Sequence, residues 1–439
     1  MIESIPLVLT HLGSVMLGLV DTAVVGRLGQ DALAGVGFAY VCFFMVTLVG
    51  IGVLLGLEPV LSQSYGRGDI DGEAVALRGG LLLAAVLSVP TTVALIWVAF
   101  HLEQLGVPTE AVGHGRDYLI GRSVGVLPLF LLVVFRVHLQ SIGKKMPLVY
   151  GTIFSNAINL PVAWVLTHGI QPWMCGLGAM GAGLAVGIAV AVQMLFAAWG
   201  SRGELFRGGR WIEKTKIFKT IWLGLPIGVQ LLVETGSFAV VTWMVAHHGA
   251  TPLAGHHLTI SVVDAAFHIA LGIAGATSAR VGRAVGAGDW HAAKRSSQVG
   301  MVMGGLALAL VGFVLLVLPR GVARLLTNDT EAIEASLPFL KIVACFEWID
   351  GIQAVAQAAL RGAGDTQFPL LANLIAYWVI GLPLGWLLRA SLGPQGPWLG
   401  IVMGFLVMAA LSGWRLRWLV WDHLRQSFQP VDNKSNGRL

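Results

Sequence analysis

Three carboxylates stand inside long apolar runs: Asp21 in helix-forming sequence near the start of the chain, Glu234 within Leu231-Leu-Val-Glu-Thr-Gly, and Asp350 within Phe346-Glu-Trp-Ile-Asp-Gly. An ionised carboxylate at the centre of a membrane-spanning helix costs about 2.5–3.5 kcal/mol on insertion scales, which makes each a functional candidate. Such a group, desolvated and without a fixed basic partner, can be neutralised by a proton, by a small cation or by a cationic substrate. Those ligands exclude one another, and mutual exclusion is the minimum chemistry of an antiporter. The basic residues well inside the apolar runs are Lys341, Arg122 and Arg136. The three acids are therefore expected to lack permanent ion-pair partners, the alternative being that each pairs inside the bundle.

Polar and aromatic neighbours could complete a site. Gln230 and Gln353 lie four and three residues from Glu234 and Asp350, on the same helical faces. They could orient the acids or bind a substrate, with helix–helix glue as the alternative. Phe238, Trp243, Phe267, Phe346, Trp348, Tyr377 and Trp378 could form a wall for cationic amphiphiles, since cation–π contact is worth roughly 0.5–2 kcal/mol. Asp264 and Glu347 could line a cavity or pair with Lys341, and Glu58 is expected to pair with Arg136. The pairs His247-His248 and His256-His257 could bind a metal, but adjacent side chains diverge on a helix. Gly176-Leu-Gly-Ala-Met-Gly181 spells a dinucleotide fingerprint, and with no strand expected before it, close helix packing is the better account. Neither a metalloprotease, a phosphate-loop nor a nucleophile-elbow pattern is present. The sequence thus predicts no enzyme, no ATP-driven pump and no cofactor.

The elements that position these groups follow from composition. Of 439 residues, 12% are charged and 56% hydrophobic, whereas a soluble domain carries about 25% charged residues. With 57 Gly and 15 Trp and a mean hydropathy of +0.78, the chain reads as an all-α polytopic membrane protein. Three separated cysteines exclude a disulfide framework. Twelve stretches reach the roughly 20 apolar residues that a spanning helix needs: 4–27, 33–62, 76–101, 118–142, 147–168, 177–199, 218–246, 254–284, 297–318, 334–360, 368–391 and 397–421. The first lacks a charged leader and a cleavage site, so it is expected to be a spanning helix and not a removable signal peptide.

With the N-terminus placed in the cytoplasm, most basic residues fall in inner segments, as the positive-inside rule requires. Both termini are then cytoplasmic, residues 201–217 form a basic cytoplasmic linker drawn to anionic lipid, and residues 426–439 form a disordered tail. Nucleic acid is not an expected partner. The chain also repeats: Tyr65-Gly-Arg-Gly-Asp69 matches Val285-Gly-Ala-Gly-Asp289, Leu28-Gly29 matches His248-Gly249, and Pro147 and Pro161 match Pro369 and Pro383. Two six-helix lobes, 1–200 and 218–425, are therefore expected to be related by a pseudo-two-fold axis along the membrane normal, with a substrate cavity between them.

The segments Val20-Asp-Thr-Ala-Val-Val-Gly-Arg-Leu-Gly29, Gly286-Ala-Gly-Asp289, and Ala359-Leu-Arg-Gly-Ala-Gly-Asp-Thr366 followed by Gly381-Leu-Pro383 are similar to the multidrug and toxic compound extrusion (MATE) transporters, within them the NorM-like branch. The resemblance runs over essentially the whole chain. It implies a monomeric secondary antiporter of the inner membrane that exports cationic compounds, antibiotics among them, in exchange for H⁺ or Na⁺. It further implies cation coupling at Glu234, Asp350 and Asp21, with Asn159 helping to hold Asp21 and Asn156 one turn earlier on the same face. Where relatives offer oxygen ligands, this chain has Ala163 and Phe346, which favours the proton over a sodium ion held by Glu234 and Asp350. The alternative function is a flippase for a lipid-linked precursor in the same superfamily, whose cavity would be basic.

Overall fold

The computed structural model describes residues 4–170, 174–207 and 212–427. Its helices, in chain order, are α1 Ile5–Val25, α2 Gln30–Leu55, α3 Leu57–Gly66, α4 Ile70–Phe100, α5 Thr109–Ser123, α6 Val126–Ser141, α7 Met146–His168, α8 Ala179–Leu205, α9 Lys214–Ala246, α10 Ala250–Gly286, α11 Trp290–Val317, α12 Pro319–Arg324, α13 Thr330–Ala363, α14 Gln367–Asn373, α15 Leu382–Leu392 and α16 Gly396–Ser427. Long apolar runs account for most of them, and four of the helices continue through an interior proline, Pro90, Pro161, Pro226 and Pro338. Three starts carry Asp N-caps: Asp69, Asp289 and Asp329 accept from the backbone N–H groups of Gly72, Ala292 and Glu331 at 2.8, 2.8 and 2.9 Å, opening α4, α11 and α13.

These helices make the twelve predicted crossings in two lobes, and the protein is a multi-pass membrane protein. Among the described residues, nine stretches are long and apolar enough to span a bilayer, and the bent pair α5–α6 makes a tenth. One of the nine, Gln367–Leu419, holds two successive crossings. The remaining crossing is α13, which is less apolar because Glu347, Asp350, Gln353 and Gln357 lie on its buried stretch.

Three crossings are not the continuous helices expected. The second breaks at Gly56 between α2 and α3. The fourth bends by 48° between α5 and α6. The eleventh widens into a π-helix over Leu374–Gly381, just before Pro383, whose ring and missing N–H disrupt the α-helical ladder four residues upstream. A two-residue hairpin, β1 Gly169–Ile170 with β2 Met174–Cys175, precedes α8. A strand therefore does stand before Gly176-Leu-Gly-Ala-Met-Gly181, contrary to expectation, but it belongs to an isolated ribbon without a βαβ unit. The linker is shorter than predicted, running between the end of α8 at Leu205 and the start of α9 at Lys214. The predicted tail lies beyond Ser427 except for its first two residues, and so almost wholly outside the described residues.

The repeat seen in sequence is a repeat of backbone. Gly29 and Gly249 open α2 and α10 at φ 115° and 108°, and Gly68 and Gly288 stand before α4 and α11 at 69° and 75°. Gly178 (φ 58°, ψ −137°) and Gly393 (φ 59°, ψ −138°) match as closely, although they are 215 rather than 220 residues apart. Left-handed or mirror-β geometry at these points strains any residue with a Cβ.

The lobes meet in symmetric pairs, α2 with α9 and α10 with α1, together with α3 on α10. Glycine lets the first pair touch at the backbone: a Cβ on Gly52 would lie 2.2 Å from Gly228 Cα, and one on Gly224 would lie 2.0 Å from the Val53 carbonyl oxygen. Gln63 Nε2 adds a hydrogen bond across the lobes to the Gly362 carbonyl at 3.2 Å. These crossings all lie toward the side that carries the chain termini.

In the N-terminal lobe, α4, α6 and α8 are tied by a buried polar triad. His138, wholly buried, meets Glu73 Oε1 through Nε2 and Ser201 Oγ through Nδ1, both at 3.0 Å. The repeat-related positions in the other lobe are Ala293, Ala359 and Leu416, which pack as an apolar cluster.

Candidate cation site and its counterpart in the N-terminal lobe

In the C-terminal lobe, α9 carries Glu234, α13 carries Asp350 and Glu347, and the π segment supplies Tyr377. Asp350 and Glu347 are each 3% exposed, while Glu234 is half-buried. The charges acting on Glu234 are those of Asp350 and Arg361, and Asp350 also acts on Glu347. No lysine or arginine comes within ion-pair distance of any of the three among the described residues. In place of a cation, amides hold the cluster. Gln353 Nε2 donates to Asp350 Oδ1 at 2.7 Å, Gln357 donates to Gln353, and Gln230 donates to Gln357. Asn373 Nδ2 reaches Glu234 Oε2 at 3.4 Å.

The cluster keeps unused capacity. Glu347 Oε1, Gln230 Oε1, Asn373 Oδ1 and the Tyr377 hydroxyl are buried without a hydrogen-bond partner, and the electrostatic neighbours of Tyr377 are Glu234 and Asp350. Buried polar atoms are normally paired, so four unpaired atoms around three acids leave the cluster with open hydrogen-bonding capacity. Gln357 and Asn373 were not anticipated from the sequence, and Tyr377 was anticipated only as an aromatic surface. Gln357 could have been found, because it repeats the spacing of Gln353 four residues on. Asn373 and Tyr377 arrive from a distant crossing and carry no local signal.

The N-terminal lobe is built differently. Asp21, 6% exposed, accepts a hydrogen bond from the Tyr118 hydroxyl at 2.5 Å, and Arg122 Nη1 stands 4.0 Å from the same Oδ2. Asp21 therefore has the fixed basic partner it was expected to lack: α5, bent away at Ser123, turns one face toward α1 and presents both residues. The Arg122 guanidinium also lies over the rings of Phe43, Tyr118 and Tyr40 at 4.5, 5.7 and 5.6 Å. Asp21 Oδ1 and both amide atoms of Asn159 are buried and unpartnered. Asn159 thus makes no hydrogen bond to Asp21, contrary to the implied role. Asn156 is committed to packing, donating to the Gly13 carbonyl at 3.1 Å and the Thr152 carbonyl at 2.9 Å.

Several other expectations change. Lys341 is exposed and pairs with neither Glu347 nor Asp264. Asp264 instead lies 3.9 Å from His268 Nδ1 with an exposed carboxylate and acts electrostatically on Tyr40 of the opposite lobe. Glu58 is buried with no ion pair to Arg136, and the Arg361 charge acts on it more strongly. The four histidines do not converge: His256 is wholly buried between Trp398 Nε1 and Thr242 Oγ1, at 3.1 and 2.9 Å. Phe238 packs near Phe405, with 6.4 Å between ring centroids, and Phe346 packs against the same core. Trp243, Trp348 and Trp378 are exposed, so the aromatic residues do not form one wall.

Comparison with known proteins agrees with this architecture. The chain is 35% identical over 422 residues to the "Probable multidrug resistance protein NorM" of Deinococcus radiodurans, covering 93% of this chain and 92% of that protein. It is 31% identical over 431 residues to the protein of the same name from Bradyrhizobium diazoefficiens, covering 95% and 92%. Among solved structures, a MATE protein in the straight conformation superposes with a TM-score of 0.88 at 19% identity, covering 96% of this chain and 95% of that one. The MATE protein in the bent conformation gives 0.85 at 19% identity, covering 97% and 96%. The MatE family model matches residues 6–165 and 226–387, one segment in each lobe, and the chain belongs to the MatE family.

Proposed function

We propose that the protein is a secondary antiporter that expels cationic amphipathic compounds from the cytoplasm by alternating access, in exchange for H⁺. The observation that carries this reading is the C-terminal cluster itself: buried Asp350 and Glu347 stand with half-buried Glu234, and among the described residues no cationic side chain lies within ion-pair distance of the three. Such a site holds a proton, a metal cation or an organic cation, but not two at once. The relatives' printed names, multidrug resistance proteins, support export of drugs as the direction and the cargo. A flippase for a pyrophosphate-linked lipid is disfavoured because an acidic cluster repels that cargo.

The proton is favoured over sodium by the direction of the amides. Gln353 turns an N–H donor toward Asp350, which occupies a lone pair that a hard cation would require. The same pairing is compatible with protonation of the other oxygen. Alternating access is supported by the interface: the lobes touch through glycine crossings toward the terminus-bearing side, the side that we take, from the distribution of basic residues, as cytoplasmic. A rocking motion of one lobe would part those contacts and expose the cluster to that side.

The test is efflux of a fluorescent cation from proteoliposomes under separately imposed pH and sodium gradients. Transport driven by the pH gradient alone is the expected result. Robust transport driven by sodium at matched pH with a protonophore present would show that the ion is sodium, and no transport under either gradient would overturn antiport.

A further inference from the structure

A cavity of about 470 Å³ opens between α10 and α11 near the terminus-bearing side, well away from the acidic cluster. Its polar lining comes from Arg280, Arg295, Thr277 and Ser296, with Ser4 from the start of the chain, and its apolar lining includes Val299 and Met303. Both arginines are exposed, and neither has an ion pair or hydrogen bond among the described residues. The Thr277 hydroxyl donates to the Ile273 carbonyl at 2.8 Å, which leaves two unpaired guanidiniums beside the Ser296 hydroxyl, a set suited to an anion because the planar fork of Arg matches phosphate oxygens two at a time.

The fold does not require this arrangement. In the N-terminal lobe the repeat-related positions are Val60 and Val75 for the arginines and Leu57 and Ala76 for the hydroxyls, and all four are buried. The register is certain, because Gly80 meets Leu57 there as Gly300 meets Thr277 here. One lobe fills the position with hydrocarbon, while the other leaves a cleft and charges it.

The surroundings point to a lipid. From the cleft an apolar stripe runs along one face of α11 through Val299, Val302, Leu306 and Leu310, exposed by 46, 59, 67 and 65%. That spacing is helical and faces the bilayer, giving acyl chains a surface directly beneath a phosphate held by the arginines. Basic clefts between helices on the cytoplasmic side suit anionic headgroups.

We propose that the α10–α11 cleft binds the headgroup phosphate of an anionic phospholipid, with Arg280 and Arg295 as its ligands and the α11 stripe as the seat of its acyl chains. The full chain, purified and stripped of lipid in detergent, is titrated with phosphatidylglycerol, phosphatidylcholine or inorganic phosphate while its thermal unfolding midpoint and retained lipid, by native mass spectrometry, are followed. Phosphatidylglycerol is expected to raise the midpoint and to remain bound; phosphatidylcholine and inorganic phosphate are expected to do neither. In Arg280→Gln/Arg295→Gln the apparent affinity should fall about thirtyfold, the loss expected from two phosphate contacts, and Arg280→Lys/Arg295→Lys should recover part of it. The proposal is overturned if the glutamine variant binds phosphatidylglycerol like the wild type, or if phosphatidylcholine or inorganic phosphate acts equally on the unmodified protein. The last comparison decides even if the glutamine variant does not fold.

Discussion

The Tyr118 hydroxyl donates to Asp21 Oδ2 at 2.5 Å, across the gap between α5 and α1. Because Arg122 approaches the same oxygen, the N-terminal acid is held by a phenol and a guanidinium, whereas its C-terminal counterparts are held by amides. Any cation entering the N-terminal lobe must therefore compete with a guanidinium at the carboxylate itself, whereas in the C-terminal cluster Arg361 acts on Glu234 only from beyond ion-pair distance.

Glu234→Gln and Asp350→Asn should each abolish coupled efflux while leaving expression and folding intact, since charge is removed with little change of shape. Wild-type transport by both variants under an imposed gradient would exclude the C-terminal cluster as the coupling site.

The amide chain from Gln230 through Gln357 and Gln353 to Asp350 should behave as one unit. Gln357→Leu removes both a donor and an acceptor from buried partners and should slow efflux roughly tenfold, the effect of an unsatisfied buried group of about 1–3 kcal/mol. Combining it with Gln353→Leu should cost less than the two changes added together, which a double-mutant comparison of transport rates would reveal.

At Asp21 the expected behaviour is conformational. Tyr118→Phe should destabilise the protein by about 1–3 kcal/mol, because it leaves a buried carboxylate short of a donor. Asp21→Asn should abolish any pH-dependent change in a distance measured across α1. A probe pair that responds to pH identically in wild type and Asp21→Asn would assign the N-terminal acid to structure alone.

The His138 triad gives a prediction that the repeat itself designs. Glu73→Ala strands a buried imidazole and should lower the unfolding midpoint, at a cost of about 1–3 kcal/mol. Glu73→Ala/His138→Ala/Ser201→Leu, which copies the apolar cluster of the other lobe, should recover part of the loss, since it strands no polar group while the lost side-chain volume limits the gain. No recovery in thermal unfolding would show that the two lobes are not interchangeable at this depth.

The crossings, the two-lobe repeat and the acids Asp21, Glu234 and Asp350 were legible because each writes itself locally, as an apolar run, a recurring glycine motif or a charge where none is expected. What was not legible is long-range. Nothing near Asp21 announces that Tyr118 and Arg122, some hundred residues on, will turn toward it. Arg122 was seen as an intramembrane base, but its partner depends on the bend after Ser123, which is set by packing. Tyr377 joins the cluster only because the helix widens before Pro383. The histidine pairs misled for the same reason: adjacency in sequence suggested a ligand set, while burial sent His256 alone toward Trp398.

The matched glycines carry a consequence for how such a molecule can change over generations. Gly29 and Gly249, or Gly178 and Gly393, set corners that every side chain but hydrogen strains, so both copies are held in step. The acids have no such tie: at the position of Asp21 the second half has Val241, and at that of Glu234 the first half has Ser14. The frame is therefore doubled, while the acids it carries are not: each stands in one half only, and a change at one of them leaves its repeat-related position untouched.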